Sequence, residues 1–243
     1  MLFPMDGWHQ GMHHPPAAVR ETINKTQDLP IYMDPIVNAR EPRGKEGERF
    51  LEHMNADHEG MARWGTSKIA IARDHDVLDI GCGGGRNLEF FLENCPYGTV
   101  TGVDRSELSV DFSIKKNEKA VSEGRCKVLE ADVSSLPFDD LSFDIVTAFE
   151  TVYYWPTITD SFREVLRVLR MGGTFMICNE ADRLDERTQS WVDRIGHGMR
   201  IYDAGQLEGY LKEAGFTDIN VYNIPEEHWL CVTAKRPYND IAI

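Results

Sequence analysis

Long apolar runs, basic residues and organised cysteines are all scarce in this 243-residue chain, and each scarcity removes a class of protein. No apolar stretch approaches the roughly 18 residues of a membrane-spanning helix, and Met1 to Gln10 has neither the basic start nor the long apolar segment of a secretory leader. Lysine and arginine total 26 against 40 Asp and Glu, a formal charge of −14 with no local basic patch, so neutralising a nucleic-acid backbone has little to draw on. The five cysteines, at 82, 95, 126, 178 and 231, are odd in number and lack CxxC spacing, which argues against zinc and disulfide staples and for reduced thiols. The expectation is a soluble, cytoplasmic protein with no membrane, nucleic-acid or metal partner, its oligomeric state open. The length suffices to bury about 70–75% of the unfolded surface in one large domain.

What is present is unevenly spread. Residues 1–45 hold six of the eleven prolines and no sustained period, so an irregular N-terminal arm is expected, with His9, His13 and His14 in it a polar tract rather than a metal site. The domain proper is expected over 46–243. It opens on a cap helix, 46–64, with Phe50, Met54, Met61 and Trp64 on one face. Asp57 falls on that face and His53 lies four residues before it, one helical turn away, so the two are a candidate carboxylate-oriented imidazole pair. His58 and Asn55 point elsewhere on the wheel.

From Val77 onward, strand and helix patterns alternate. Val77–Ile80, Thr99–Val103, Cys126–Glu130, Phe143–Phe149 and Thr174–Cys178 read as strands. Between them come a helix through Leu88, Phe91 and Leu92 stopped by Cys95-Pro96, one capped by Ser106 with Leu108 and Phe112 inward, and one over 157–170 stopped by Gly172-Gly173. A capping box at Asp203 and Gln206 opens a further helix, and Phe216–Tyr222 with His228–Ala234 reads as an antiparallel hairpin. The expected fold is therefore α/β: a seven-stranded, mostly parallel, doubly wound sheet ending in an antiparallel hairpin, with an N-terminal arm and helix. Ligands of such sheets sit at the carboxyl ends of the strands.

The run Val77-Leu78-Asp79-Ile80-Gly81-Cys82-Gly83-Gly84-Gly85 is a strand entering a glycine turn before a helix, a place where backbone and ligand approach closely. It fails as a dinucleotide fingerprint. GxGxxG begun at Gly81 needs glycine where Arg86 stands, and begun at Gly83 needs it where Leu88 stands. An acidic chain with Asp79 in the motif suits a cationic ligand better.

These residues resemble the first motif of the Rossmann-like S-adenosylmethionine-dependent methyltransferases, in the small-molecule branch related to quinone-biosynthesis enzymes. Four further motifs follow in order: Val103-Asp104, Ala131-Asp132-Val133, Leu136-Pro137-Phe138 through Phe143-Asp144-Ile145-Val146, and Leu166 to Gly173. The resemblance covers about residues 63–237. It implies S-adenosylmethionine as cofactor, with Gly81 and Gly83 admitting its methionine end and Asp79 orienting the amino group. Asp104, with Arg105 beside it, would take the ribose hydroxyls; Asp132 and the Val133 N–H the adenine. Phe149 and Glu150 would border the transferable methyl.

A sulfonium methyl is already activated, so a base is needed only for an unactivated hydroxyl or ammonium. Candidate catalytic residues are Glu150, His53 with Asp57, Tyr153 and His197, with Tyr154 beside them. The cap helix and an insertion over 179–202, carrying Trp191, Met199 and Tyr202, are expected to shape the acceptor pocket, the insertion as a lid; Tyr153-Tyr154-Trp155 offers an aromatic wall. The reading is in-line methyl transfer to a small, partly aromatic or apolar acceptor. The alternatives are a non-catalytic S-adenosylmethionine-binding regulator and a macromolecular methyltransferase. Phe149-Glu150-Thr151-Val152 stands where exocyclic-amine nucleic-acid enzymes resemble one another in an Asn/Asp-Pro-Pro-aromatic motif, and the acidic charge agrees with that absence.

Overall fold

The computed structural model describes residues 39–196 and 198–238. The arm expected over 1–45 thus lies outside the described residues as far as residue 38, as do His9, His13, His14 and His197. The first described elements are helices α1 (Gly44–Asp57) and α2 (Glu59–Thr66). One helix was expected over 46–64, but His58 leaves helical geometry at φ −88°, ψ 1° and the axis restarts at Glu59. The wheel drawn through the whole segment therefore fails beyond residue 57.

The α/β region follows as β1 (Val77–Ile80), α3 (Arg86–Asn94), β2 (Val100–Asp104), α4 (Glu107–Lys116), α5 (Glu118–Ser122), β3 (Cys126–Glu130), β4 (Phe143–Phe149), α6 (Ile158–Val168) and β5 (Leu169–Asn179). It closes with α7 (Glu186–Ile195), α8 (Ala204–Ala214), β6 (Thr217–Ile224) and β7 (Trp229–Lys235). The strands form one seven-stranded sheet in the order β3-β2-β1-β4-β5-β7-β6. The β5–β7 and β7–β6 pairs are antiparallel and the other pairs parallel, so the hairpin expected at the C-terminus completes the sheet, β7 lying next to β5.

The alternation of strand side chains covers both faces, which is why these strands read as nearly continuous apolar runs. Leu78, Val146, Phe175 and Ile177 pack toward α6 and α8 with Phe162, Leu207 and Leu211. Val77, Ile145, Met176 and Cys178 pack toward the other face with Met61, Leu88 and Phe91. All five cysteines are buried and free.

Two local expectations change. Helix α6 ends at Val168, and Gly172-Gly173 falls within β5, where the register against β4 slips between the Phe143↔Leu169 and Ile145↔Thr174 pairs. The glycines make a bulge there, Gly172 at φ 72°, instead of a helix stop. In α4 the buried face is Ser109, Val110 and Ser113, in place of Leu108 and Phe112. Small side chains are needed there because α4 lies against the glycine turn, where a Cβ on Gly85 would come 2.3 Å from Ser113 Oγ. Among the described residues no helix is long and apolar enough to cross a membrane.

Candidate functional site

Strand order reverses at β1, whose neighbours β2 and β4 are followed by connections running in opposite directions across the sheet, and a crevice opens there at the carboxyl ends. The cleft spans about 1130 Å³ with its open mouth included. Gly81, Gly83, Asp104, Asp132, Phe149 and Glu150 all border it, as do Arg105 and Val133.

The turn after β1 needs glycine for steric reasons. Gly81, Gly83 and Gly85 have φ of 75°, 50° and 74°, the left-handed region that side chains disfavour. A Cβ on Gly81 would lie 2.3 Å from Thr151 Oγ1, so the residues after β4 back directly onto the turn. At Gly83 a Cβ would meet only Leu51 Cδ2, at 3.9 Å, because that position faces the open cleft. The N–H groups of Gly81 and Cys82 both donate to Val103 O, at 2.7 and 3.0 Å, tying the turn to β2. Asn55 Nδ2 donates to Gly84 O at 3.1 Å and pins α1 over it.

Three aspartates surround this end. Asp104 closes β2, with Oδ2 accepting from the Gly83 N–H at 3.0 Å and Oδ1 from the Ser106 N–H at 2.9 Å. Burial raises its pKa while those two hydrogen bonds oppose the rise, and each oxygen keeps a further lone pair for a ligand hydroxyl. Asp132 is exposed at the cleft rim, its Oδ1 accepting from the Ser134 N–H and hydroxyl at 2.9 and 2.7 Å. Its pKa is lowered, the Ser134 hydrogen bonds outweighing the effect of burial.

Asp79 lies beneath the turn and does not border the cleft. Its Oδ1 accepts from Thr147 Oγ1 at 2.7 Å, whereas Oδ2 is buried with no partner among the described residues. An orphaned carboxylate oxygen in the protein interior is costly unless neutral or matched by a donor. Burial pushes the Asp79 carboxyl up to about 7, the Thr147 hydroxyl opposing and the Asp104 charge adding. The folded protein then holds a proton that the unfolded chain sheds near 3.8, so this residue's contribution to stability falls as pH climbs from 3.8 to about 7. Asp79→Asn is expected to flatten that part of the melting temperature against pH curve, and an unchanged slope would contradict it.

At the other end of the cleft, β4 runs from buried Phe149 into Glu150, which adopts a left-handed φ of 56°. Glu150 Oε1 accepts from the Glu180 N–H and, at 3.3 Å, from the Tyr153 hydroxyl. His58, from the break between α1 and α2, borders the cleft and sets its Nε2 3.6 Å from Glu180 Oε1. One ring nitrogen and two carboxylate oxygens, from His58, Glu150 and Glu180, lie within 4.8 Å of one another.

The structure thus separates the candidate catalytic residues. Glu150 stands in the cleft. Tyr153 is buried behind it with Ala181 and Met199, its hydroxyl accepting from the Ala181 N–H at 3.2 Å, while Tyr154 and Trp155 form the wall. His53 and Asp57 do form their pair, Nε2 to Oδ2 at 2.9 Å, but with side chains 49% and 53% exposed and away from the cleft. The reason is the face α1 buries: Gly47 and Leu51 point inward and Phe50, Met54 and Asn55 line the cleft, which leaves residues 53 and 57 on the exposed side. His53→Ala is accordingly expected to leave turnover and cofactor affinity unchanged, and a fall in kcat in a steady-state assay would return the pair to the site. Of the insertion's aromatic and apolar residues, Met199 joins Tyr153, Tyr202 enters the main core, and neither they nor Trp191 borders the cleft.

His58, Asn55 and Glu180 were passed over in the sequence. Glu180 carried a usable signal, being a carboxylate immediately after a strand, like Asp104 and Glu150. His58 carried none, because its direction depends on a helix break that no proline marks.

An open parallel sheet with its ligand turn after β1, and a seventh strand paired antiparallel beside the fifth, defines the Rossmann-like methyltransferase class. Residues 78–177 match the family described as a methyltransferase domain. Over that segment the chain is similar to the S-adenosylmethionine-dependent methyltransferases of that fold. It is 29% identical over 133 residues to a sterol 4-C-methyltransferase of Caenorhabditis elegans, covering 54% of this chain and 38% of that one. It is 26% identical over 201 residues to the erythromycin 3''-O-methyltransferase of Saccharopolyspora erythraea, covering 76% and 65%. The chain therefore spans less than two thirds of both relatives. Among solved structures, the Haemonchus contortus phosphoethanolamine N-methyltransferase 2 in complex with S-adenosyl-L-methionine superposes with a TM-score of 0.68 at 17% identity, over 80% of this chain and 58% of that one.

Proposed function

We propose that this protein transfers the methyl group of S-adenosylmethionine to a small, largely apolar acceptor. The observation that carries the reading is one cleft with two chemically distinct ends. A glycine turn and carboxylates suited to a nucleoside and an ammonium lie at one end, an aromatic and apolar wall with buried acid–base groups at the other. When bound, the cofactor supplies an electrophilic methyl on a sulfonium. Gly81 and Gly83 give the methionine end access to the backbone, and Asp79 Oδ2, lacking a partner among the described residues, is the acceptor left for an amino group, directly or through water. Asp104 and Arg105 hold the ribose, Asp132 and the Val133 N–H the adenine, and Phe149 borders the methyl. Phe50, Leu51, Met54, Tyr154 and Trp155 exclude water around an apolar acceptor, which concentrates catalysis in alignment and desolvation. The sterol and macrolide acceptors in the relatives' names agree with that lining. In this reading the domain runs over 46–243, capped by the helices before β1, with 179–202 a lid closing from beyond the described cleft.

Incubation with S-adenosylmethionine and a panel of sterol, polyketide and quinone-like metabolites should release S-adenosylhomocysteine with some of them. Activity confined to protein or nucleic acid would overturn the small-molecule reading. Tight cofactor binding with no turnover on any acceptor would favour the regulatory one.

A further inference from the structure

The group at the acceptor end is built from the α1–α2 break and the ends of the paired strands β4 and β5, where the Glu150 N–H donates to Cys178 O at 3.0 Å. Their side chains, His58, Glu150 and Glu180, converge within 4.8 Å of one another, and Thr151, next in sequence to Glu150, presses against Gly81. We propose that Glu150 takes the proton of a hydroxyl-bearing acceptor, and that the neighbouring Glu180 carboxylate keeps it protonated until the positively charged cofactor is in place, with His58 easing its release. The inference rests on the S-adenosylmethionine reading above.

The charges facing Glu150 come from every side. Glu180 approaches from β5, His58 from the helix break and Tyr153 and Tyr154 from the turn after β4, while Cys178 lies beneath on β5. Asp57 acts on the cluster through His58, Arg187 through Glu180 and Arg40 through Tyr154. Burial raises the Glu150 carboxyl to about 8, the Glu180 charge adding and His58 opposing. Burial works to lower the His58 pKa, but its hydrogen bond to Glu180 and the carboxylates around it raise it to about 9. Glu180 is held ionised by that pair and by Arg187, against the effect of burial. Near neutral pH the cluster therefore rests as imidazolium, carboxylate and a neutral Glu150, with no net charge.

A cation delivered beside Gly81 changes that balance. It stabilises the ionised form of Glu150, which sheds its proton to solvent and becomes both counter-ion and base. In the transfer step the acceptor oxygen's lone pair forms the new C–O bond while the C–S bond breaks and its electron pair stays on sulfur. The hydroxyl proton passes to the Glu150 carboxylate. Sulfonium and carboxylate disappear together, leaving a neutral thioether and a neutral carboxyl, so the product state matches the resting state. The arrangement makes the base available only while unreacted cofactor is present. His58 and Glu180 are positioning residues that set the proton affinity of Glu150 and need not touch the acceptor.

The test is calorimetric and needs no acceptor. Titrating the full chain near pH 7 in two buffers of different ionisation enthalpy counts protons released on binding. S-adenosylmethionine should release most of one proton more than neutral-sulfur S-adenosylhomocysteine, any proton shed by Asp79 to the shared amino group being common to both. Glu150→Gln should still bind both and lose that difference. His58→Gln, by removing the imidazolium that favours ionised Glu150, should move the midpoint of release to higher pH, which loss of packing alone would not do. Equal proton counts for the two ligands, or an unchanged count in Glu150→Gln, overturns the proposal. So does a count abolished by millimolar magnesium or manganese, since the three side chains would then be holding a cation. Failure of both ligands to bind would instead overturn the cofactor reading.

Discussion

Gly81→Ala is expected to destabilise the domain and remove cofactor binding together. A non-glycine residue in the left-handed region costs about 1–2 kcal/mol. The added methyl must also displace Thr151, whose Oγ1 lies 2.3 Å from the Cβ position, and overpacking of that kind costs about 1–3 kcal/mol. Thr151 cannot yield freely, because its Oγ1 accepts from Trp155 Nε1 at 3.3 Å and Trp155 stacks on Phe175 at 6.2 Å in the main core. Gly83→Ala is the instructive partner. Its φ is also positive, but the nearest atom to its Cβ is Leu51 Cδ2 at 3.9 Å, so only the backbone term of about 1–2 kcal/mol applies. It should fold with a modest fall in melting temperature yet bind S-adenosylmethionine poorly, since the methyl projects into the cleft. Thermal unfolding and calorimetry on the two variants separate these effects. Equal stability in both, or wild-type affinity in Gly83→Ala, would show that the turn does not serve the ligand.

Asp104→Ala should weaken S-adenosylmethionine binding by about 1.5–3 kcal/mol through loss of charge-assisted hydrogen bonds. That corresponds to about 10- to 150-fold in Kd. The carboxylate also receives the Gly83 and Ser106 N–H groups, so alanine loosens the turn it is meant to probe. Asp104→Asn keeps one acceptor oxygen at nearly the same volume and should fall between wild type and alanine. Both variants should unfold cooperatively, because Asp104 is only half-buried and lies at the rim of the packed layers. Wild-type affinity in Asp104→Ala would remove it from the site.

Much of the nucleotide end was legible along the chain because it is local. A carboxylate at a strand end and glycines in the turn that follows are set by neighbours in sequence, and the parallel sheet brings such ends to one edge wherever βαβ units repeat. The acceptor end was less legible for an equally physical reason. Its geometry depends on where helices break and how they pack, as the exposed His53–Asp57 pair and the inward His58 illustrate. A wheel drawn through 46–64 assumes one axis, and the chain has two.

By itself, then, the sequence determined the alternation of strands and helices, the left-handed glycines and the acidic strand ends, since periodicity and backbone sterics act over a few residues. Only the tertiary structure decided that Glu180 meets His58 across 122 positions of chain, that Tyr153 turns away behind Glu150, and that Asp79 keeps one oxygen without a donor among the described residues. Those are outcomes of burial and charge summed over elements distant in sequence, and they assemble only when the sheet closes.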